Sequence, residues 1–497
     1  MGGRKPVERA TDGVAAADGP DERTTVSDHV GTATHFDVIV IGGGPAGYGA
    51  ALYGSAAGLN IAIVEKDKVG GTCLHRGCIP AKELLETAHV FRTVSGASAY
   101  GVQASEPTLA FGTTMERKNQ VVDTLFKGLS GLLKNRKVTV FAGTGTMKAD
   151  RTVVVAGNDG ETTEITSAAV VLAAGSVPRT IPGFEVDGRI VLTSDEVFEL
   201  EELPEKVAVI GGGAIGCEFA SMMSDLGSEV TVLEALPEIL PGVDKDVVNT
   251  VLRSFKERKI DVRTGVKVSG HSPGSSGTTL AIEGGDDLQV DAVVVSVGRR
   301  PLSDSLGLDG TGVVVSDRGF VEVDELCRTA VDGVWAAGDL IATPGLAHVG
   351  YAEAILIIKQ LLGEEAIPVD YGKVAWCIYS KPEVAFVGLS EQAARDAGHD
   401  VVVAKHRWGG NSRALIVGDT EGVVKIIAEK NEDGTGGQIL GVHMSGPRVT
   451  EQHGQAYLGV NWEATVDEFA HFIQPHPSLS ETFGEAVLSL TGRSLNG

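Results

Sequence analysis

Short apolar runs punctuate the chain, and the first begins at Phe36. Phe36-Asp37-Val38-Ile39-Val40-Ile41 is too apolar for a surface strand and predicts one buried on both faces. Glycines follow at once. Residues 46–58 then predict a helix, and Ile61-Ala62-Ile63-Val64-Glu65 a second buried strand. That order is a β-α-β unit. Helical periodicity returns over residues 80–97 and roughly 111–135, and short β-like pieces lead up to Val170-Val171-Leu172-Ala173-Ala174-Gly175. The plan then restarts. Val207-Ala208-Val209-Ile210 reads as a strand, a glycine turn and helix follow, and Glu229-Val230-Thr231-Val232-Leu233-Glu234 reads as another strand. After residue 373, strands and helices alternate without a glycine fingerprint. The expected fold is α/β: two Rossmann-like dinucleotide-binding domains and a C-terminal α+β domain.

Composition agrees and excludes several alternatives. At roughly 150 residues per domain, 497 residues accommodate about three domains. Hydrophobic residues make up 42% and charged residues 22%, the balance of a globular protein. The 66 glycines have no G-X-Y period, so they point to tight backbone approaches rather than collagen. A net charge of −24 argues against nucleic acid and against an anionic membrane surface, both of which demand Lys and Arg clusters. No apolar run approaches the length of a membrane span. Five cysteines are too few for a secreted disulfide framework, so a reducing, cytoplasmic setting is expected. Residues 1–35 lack Leu, Ile, Phe, Tyr and Trp and are expected to be a solvated tail, not a secretory signal.

The two glycine turns carry the first chemistry. Gly42, Gly44 and Gly47 fill the three positions of G-x-G-x-x-G, and Glu65 ends the next strand. Gly211, Gly213 and Gly216 repeat the pattern, with Glu234 in the same place. Such a turn brings a helix N-terminus to a pyrophosphate, and the acid accepts from a ribose 2′-OH. One copy alone is weak; two copies, each between strand and helix, are specific. Glu234 would repel a 2′-phosphate, and Ala235-Leu236-Pro237 offers no arginine, so NAD is expected over NADP.

The stretch Gly70-Gly71-Thr72-Cys73-Leu74-His75-Arg76-Gly77-Cys78-Ile79-Pro80-Ala81-Lys82 holds the second. In a regular helix, five positions give about 500° of rotation and about 7.5 Å of rise, beyond bridging range. A disulfide between Cys73 and Cys78 therefore requires a distorted turn, which Gly77 permits. A helix N-terminus would favour the thiolate. Two buried thiols or half a metal site are the alternatives, and no second Cys or His cluster with zinc spacing supports a metal. Cys217, Cys327 and Cys377 are isolated and read as core cysteines.

This segment resembles the active-site segment of the flavoprotein disulfide reductases. Other motifs stand in family order: Ala173-Ala174-Gly175-Ser176, Cys217-Glu218-Phe219 after the second turn, Ser296-Val297-Gly298-Arg299-Arg300-Pro301, Ala337-Gly338-Asp339, and His476-Pro477-Ser478-Leu479-Ser480-Glu481. The likeness runs from about Phe36 to the C-terminus.

The resemblance implies the remaining assignments. Residues 36–183 would bind FAD and carry a redox-active Cys73–Cys78 disulfide. Residues 184–303 would bind NAD, 304–372 would complete the FAD site, and 373–497 would form the subunit interface. FAD would contact Gly42, Gly44, Gly47, Glu65, Lys66, Thr72, Gly145, Asp339 and Ala347. NAD would lie along Gly211, Gly212, Gly213, Ala214, Ile215 and Gly216, with Glu234, Val268, Gly298 and Arg299. Lys82 would pair with Glu218 beside the flavin. His476, oriented by Glu481, would be the base and would come from the other subunit of a homodimer. The family often reads His-Ala-His before this proline; here it is Gln474-Pro475-His476. The expected reaction is oxidation of protein-bound dihydrolipoamide by NAD+. The partners implied are lipoyl domains on the acyltransferase core of 2-oxo acid dehydrogenase complexes, or the glycine cleavage carrier. A mycothiol- or glutathione-type reductase is the alternative, and Glu234 argues against its NADPH.

Overall fold

A computed structural model describes residues 34–274 and 276–495. The expected solvated tail falls almost wholly outside the described residues. The first apolar run forms β1 (His35–Ile41), followed by α1 (Pro45–Ala56) and β2 (Ile61–Glu65). Pro45 at the first helical position has no N–H to leave unpaired, which suits a helix start. Then come α2 (Gly71–Arg76), α3 (Cys78–Ser95) and α4 (Phe111–Asn135). β3 (Thr139–Met147), β4 (Val153–Gly157) and β5 (Thr162–Leu172) follow. The parallel order is β3-β2-β1-β5, extended by the strand Val334–Ala336. β3, β4 and β5 also continue as an antiparallel ribbon. The sheet buries the runs read from sequence, with Val38, Ile39, Val40, Ile63, Val170 and Val171 at 1% exposure or less.

The second unit repeats this plan. Strands 261–264, 229–234, 206–210, 292–295 and 191–192 lie parallel in that order. The helix Ala214–Leu226 crosses from the central strand, and a three-stranded antiparallel sheet (268–273, 278–282, 288–290) flanks it. The C-terminal unit is a five-stranded antiparallel sheet, ordered 376–378, 383–388, 436–446, 423–430 and 401–407, under helices that include Val449–Asn461 and Glu481–Leu490. No helix among the described residues is long and apolar enough to cross a membrane.

A buried ionic cluster ties the second and C-terminal units together. Lys425, 3% exposed at the side chain, reaches Asp244 Oδ1 (2.8 Å), Asp246 Oδ2 (2.7 Å) and Glu391 Oε2 (2.8 Å). Such a charge is tolerable in the interior only because it is paired. His443 is fully buried beside it, and its Nδ1 accepts from the Asp244 N–H at 3.2 Å. Burial holds His443 neutral, lowering it from 6.5 to about 4. Its contribution to stability is full above about pH 6.5. It is lost as pH falls toward 4, because the unfolded chain takes up the proton and the folded chain does not. The thermal midpoint is therefore expected to fall between pH 6.5 and 4, more shallowly in His443→Gln. An equal fall in both proteins would contradict this origin.

Candidate active site

The two glycine turns are built alike. Gly42 and Gly211 have φ of +108° and +112°, and a Cβ on either would lie 2.2 Å from Ala173 O or 2.4 Å from Ser296 O. A Cβ on Gly47 or Gly216 would lie 1.9 Å from Gly42 O or 2.0 Å from Gly211 O. These positions pack helix on strand. The middle glycines face open space: a Cβ on Gly44 would meet nothing nearer than 4.0 Å, and one on Gly213 nothing within 4 Å. Neither helix has a side-chain N-cap, so its first N–H groups are left for a ligand.

The acids do more than the sequence suggested. Glu65 accepts from Gly43 N–H (2.7 Å) and Asp67 N–H (2.9 Å). Glu234 accepts from Gly212 N–H (2.6 Å) and Leu236 N–H (2.7 Å). Each carboxylate therefore fastens its own glycine turn, which also fixes its place at the turn.

Around the cysteines the helix is interrupted. Cys73 sits in α2, Cys78 opens α3, and Gly77 between them has φ −150° and ψ −113°. Both are free thiols here, and each acts on the ionisation of the other. The neighbouring Cys78 and burial push Cys73 far up. The neighbouring Cys73, helped by the Lys82 charge, brings Cys78 down to about 7 against the effect of burial. Lys82 Nζ donates to Glu218 Oε1 (2.9 Å) and Oε2 (2.8 Å). Burial opposes the Lys82 charge, but Glu218 outweighs it and the net shift is upward.

These groups line one cleft of about 350 Å³, which also takes in Gly42, Gly44, Glu65, Lys66, Thr72, Asp339, Ala347, Ala214 and Ile215. Ala347 begins the helix Ala347–Leu361, so a second helix N-terminus meets the cleft. Asp339 Oδ2 accepts from Ser176 Oγ at 2.5 Å.

Several assigned residues lie outside this lining, while Arg299 is part of it. Gly145 is buried in β3, where a Cβ would come within 3.0 Å of Ile41 and Val64 side chains, so a side chain there would crowd them. Val268 packs on the apolar cluster of Leu233 and Leu280 and does not line the cleft. Arg299, grouped with NAD from the resemblance, donates to Ser176 Oγ (2.7 Å) and Ser176 O (2.8 Å) and stands 3.7 Å from Asp339. Gly298 (φ +103°) keeps open space around it, as Gly213 does. Gly211, Gly212, Gly216 and Glu234 stay outside the cleft's lining and form the second turn.

His476 is placed apart from the cysteines. Its Nδ1 bonds Glu481 Oε1 at 2.8 Å, and Glu481 Oε2 accepts from Ser478 N–H at 2.7 Å. Burial opposes the Glu481 charge, but Ser478 and His476 hold its carboxyl below the usual range. The imidazole is 70% exposed and lines a separate cavity of about 290 Å³ with Arg407, Asn411 and Glu485.

Comparison with known proteins gives the family. Residues 36–354 match the family model described as pyridine nucleotide-disulphide oxidoreductase, and residues 374–487 match its dimerisation domain. The chain belongs to this family. A dihydrolipoyl dehydrogenase of Bacillus subtilis (strain 168) is 39% identical, covering 93% of this chain and all of that one. One from Zymomonas mobilis is 35% identical over the same shares. Among solved structures, LpdA from Mycobacterium tuberculosis superposes with a TM-score of 0.86 at 25% identity, covering 92% of this chain and 99% of that one. The flavoprotein disulfide reductase RclA from Escherichia coli gives 0.81 at 27% identity, with 91% and 99% covered.

The family's cofactors are FAD and NAD(H), and the residues present fit FAD. The first turn is open at Gly44 and uncapped, and a carboxylate and a second helix N-terminus share its cleft. Sequence reasoning missed Ser176 and Arg299 as the supports of Asp339. It also missed Glu353, fully buried, whose carboxylate accepts from Gly338 N–H (2.6 Å) and Thr343 Oγ1 (2.8 Å) and so shapes the Asp339 turn. A fully apolar-flanked glutamate was the one signal available for it. Cys217 and Cys327 are buried as expected, but Cys377 is half-buried and lines the cleft. The first turn also rests on a close approach at Gly71 (φ +58°), where a Cβ would lie 2.6 Å from Gly44 Cα. Gly71→Ala is expected to purify with most of its visible flavin absorbance lost. A full flavin complement would contradict that role.

Proposed function

We propose that this protein is a dihydrolipoyl dehydrogenase, oxidising protein-bound dihydrolipoamide to lipoamide and reducing NAD+ to NADH. The observation that carries the reading is the Cys73–Cys78 pair, set on either side of a helix break and sharing a cleft with Lys82 and the first glycine turn. Residues 36–183 with 304–372 are taken as the FAD-binding unit, 184–303 as the NAD-binding unit and 373–497 as the interface unit. The strand Val334–Ala336 adding to the first sheet supports that division.

The chain's own groups account for the thiol chemistry. His476, supplied by the second subunit, takes a proton on Nε2 from a substrate thiol, its Nδ1 being held by Glu481. The substrate thiolate attacks Cys73 Sγ in the oxidised enzyme. The Cys73–Cys78 bond breaks, a mixed disulfide forms at Cys73, and Cys78 leaves as a thiolate. A thiol near 7 beside Lys82 is a good leaving group. The second substrate thiol then attacks its partner sulfur in the mixed disulfide. Cyclic lipoamide leaves, and two electrons remain on the cysteine pair. Bound FAD supplies the two-electron relay from this pair to NAD+. Lys82 holds positive charge where negative charge accumulates, and Glu218 keeps Lys82 charged. Glu234 orients the ribose of NAD+ and excludes a 2′-phosphate.

The shared site is supported by the separation of His476 from the cysteine cleft within one chain. Exposed apolar side chains in the C-terminal unit fit a homodimer face: Leu415 at 60%, Trp462 at 74% and Ile473 at 90%. The macromolecular partners proposed are lipoyl domains on the acyltransferase core of a 2-oxo acid dehydrogenase complex, or the glycine cleavage carrier.

Purified protein is expected to reduce NAD+ with dihydrolipoamide and to leave NADP+ essentially untouched. Cys73→Ser should abolish that turnover while keeping its FAD. Consumption of NADPH with a small-molecule disulfide, and silence with NAD+, would contradict the proposal. Mixing inactive Cys73→Ser and His476→Ala subunits should restore part of the activity through hybrid dimers. No recovery after demonstrated subunit exchange would contradict the shared site.

A further inference from the structure

Lys82 is held by more than its carboxylate. An ammonium has three N–H donors. Two of them are taken by Glu218 Oε1 and Oε2. The remaining side of the group faces the ring of Tyr379, whose centroid is 4.9 Å from Nζ. Tyr379 also grips the anion: its backbone N–H donates to Glu218 Oε1 at 2.9 Å. One residue thus touches both members of the ion pair, its ring on the cation and its amide on the anion.

The ring's place is fixed by its neighbours in sequence. The Lys381 N–H donates to Ser221 Oγ (2.8 Å), one helical turn beyond Glu218, and Arg258 Nη1 donates to Lys381 O (2.7 Å). Residues 379–381 are therefore fastened along the helix Ala214–Leu226. Burial pushes the Tyr379 phenol up to about 12, so the ring stays neutral. A neutral aromatic face attracts a partly desolvated cation without competing for its proton. The other titratable groups acting on Lys82 are Glu218, Cys78 and Cys73, and Cys377 lies close enough to feel its charge.

Resting on the reading of Lys82 given above, we infer that Tyr379 is a positioning residue. It closes the third side of Lys82 and so fixes the distance of that charge from the Cys78 sulfur. The contact joins all three units at one point: Lys82 from the redox helix, Glu218 from the second nucleotide unit and Tyr379 from the C-terminal unit. Without the ring, Lys82 keeps its pairing with Glu218 but gains freedom to swing into the cleft, and the thiolate loses part of its stabilisation.

The test uses the dithiol-reduced holoenzyme. The rate of iodoacetamide labelling is followed against pH, with mass spectrometry locating the label on Cys73 and Cys78. Tyr379→Leu is expected to move the midpoint upward by about 0.5 pH unit, leaving about threefold less thiolate at a given pH below it. Tyr379→Phe should restore the midpoint, since it keeps the ring. FAD content should be unchanged in both, which a merely structural role for the residue would not ensure. Tyr379→Met carries the same measurement if the leucine variant does not fold. Lys82→Met separates the two layers of the argument. A shift with Lys82→Met but none with Tyr379→Leu or Tyr379→Met would overturn this inference alone. No shift with Lys82→Met would overturn the role given to Lys82 itself.

Discussion

The chemistry of this molecule depends on an interrupted helix. Two cysteines five positions apart on a continuous helix stand too far apart to share a bond. The break at Gly77 lets α2 end and α3 begin again with Cys78, and both cysteines line one cleft. A side chain at position 77 would press on the preceding turn, since its Cβ would lie 3.0 Å from Thr72 O and 3.4 Å from Cys73 Cα. Everything around the break serves the pair. Gly71 brings α2 against the first glycine turn, and α3 carries Lys82 one turn beyond Cys78.

From that point the units connect through charge and through close backbone contact. Lys82 and Glu218 link α3 to the second unit. Ser176, Arg299 and Asp339 join residues far apart in sequence at the other side of the cleft. Lys425 and its three carboxylates hold the C-terminal sheet to the second unit. Buried ion pairs add little net stability compared with apolar packing, yet breaking one leaves a stranded charge. Their value here is in fixing relative position, which a two-site electron relay demands.

The parts legible in the sequence were those with a local pattern. The strands 61–65 and 229–234 and the helix 111–135 stand where the apolar periodicity put them. Both glycine turns and the Gly77 distortion follow from steric rules at single residues. The long-range partners were not legible. Nothing local in Ser176 announces Asp339, more than 160 residues away, and nothing in Tyr379 announces Lys82. Glu65 and Glu234 were placed correctly at strand ends, but their hold on Gly43 and Gly212 required coordinates. Val268 and Gly145 stand outside the cleft's lining, and a motif position does not say which way a strand residue faces. Cys377 was read as core because isolation in sequence says nothing of a cleft wall assembled from three units.

The central claim is that Cys73 and Cys78 alternate between a disulfide and a dithiol as substrate electrons pass. The most direct measurement is differential alkylation of the oxidised protein before and after one equivalent of dihydrolipoamide without NAD+, read by mass spectrometry at each cysteine. The account predicts that both residues resist labelling at first and that both take the label after reduction, with Cys217 and Cys327 silent throughout. Full labelling of Cys73 and Cys78 in active oxidised enzyme, or no change on adding the dithiol, would contradict it.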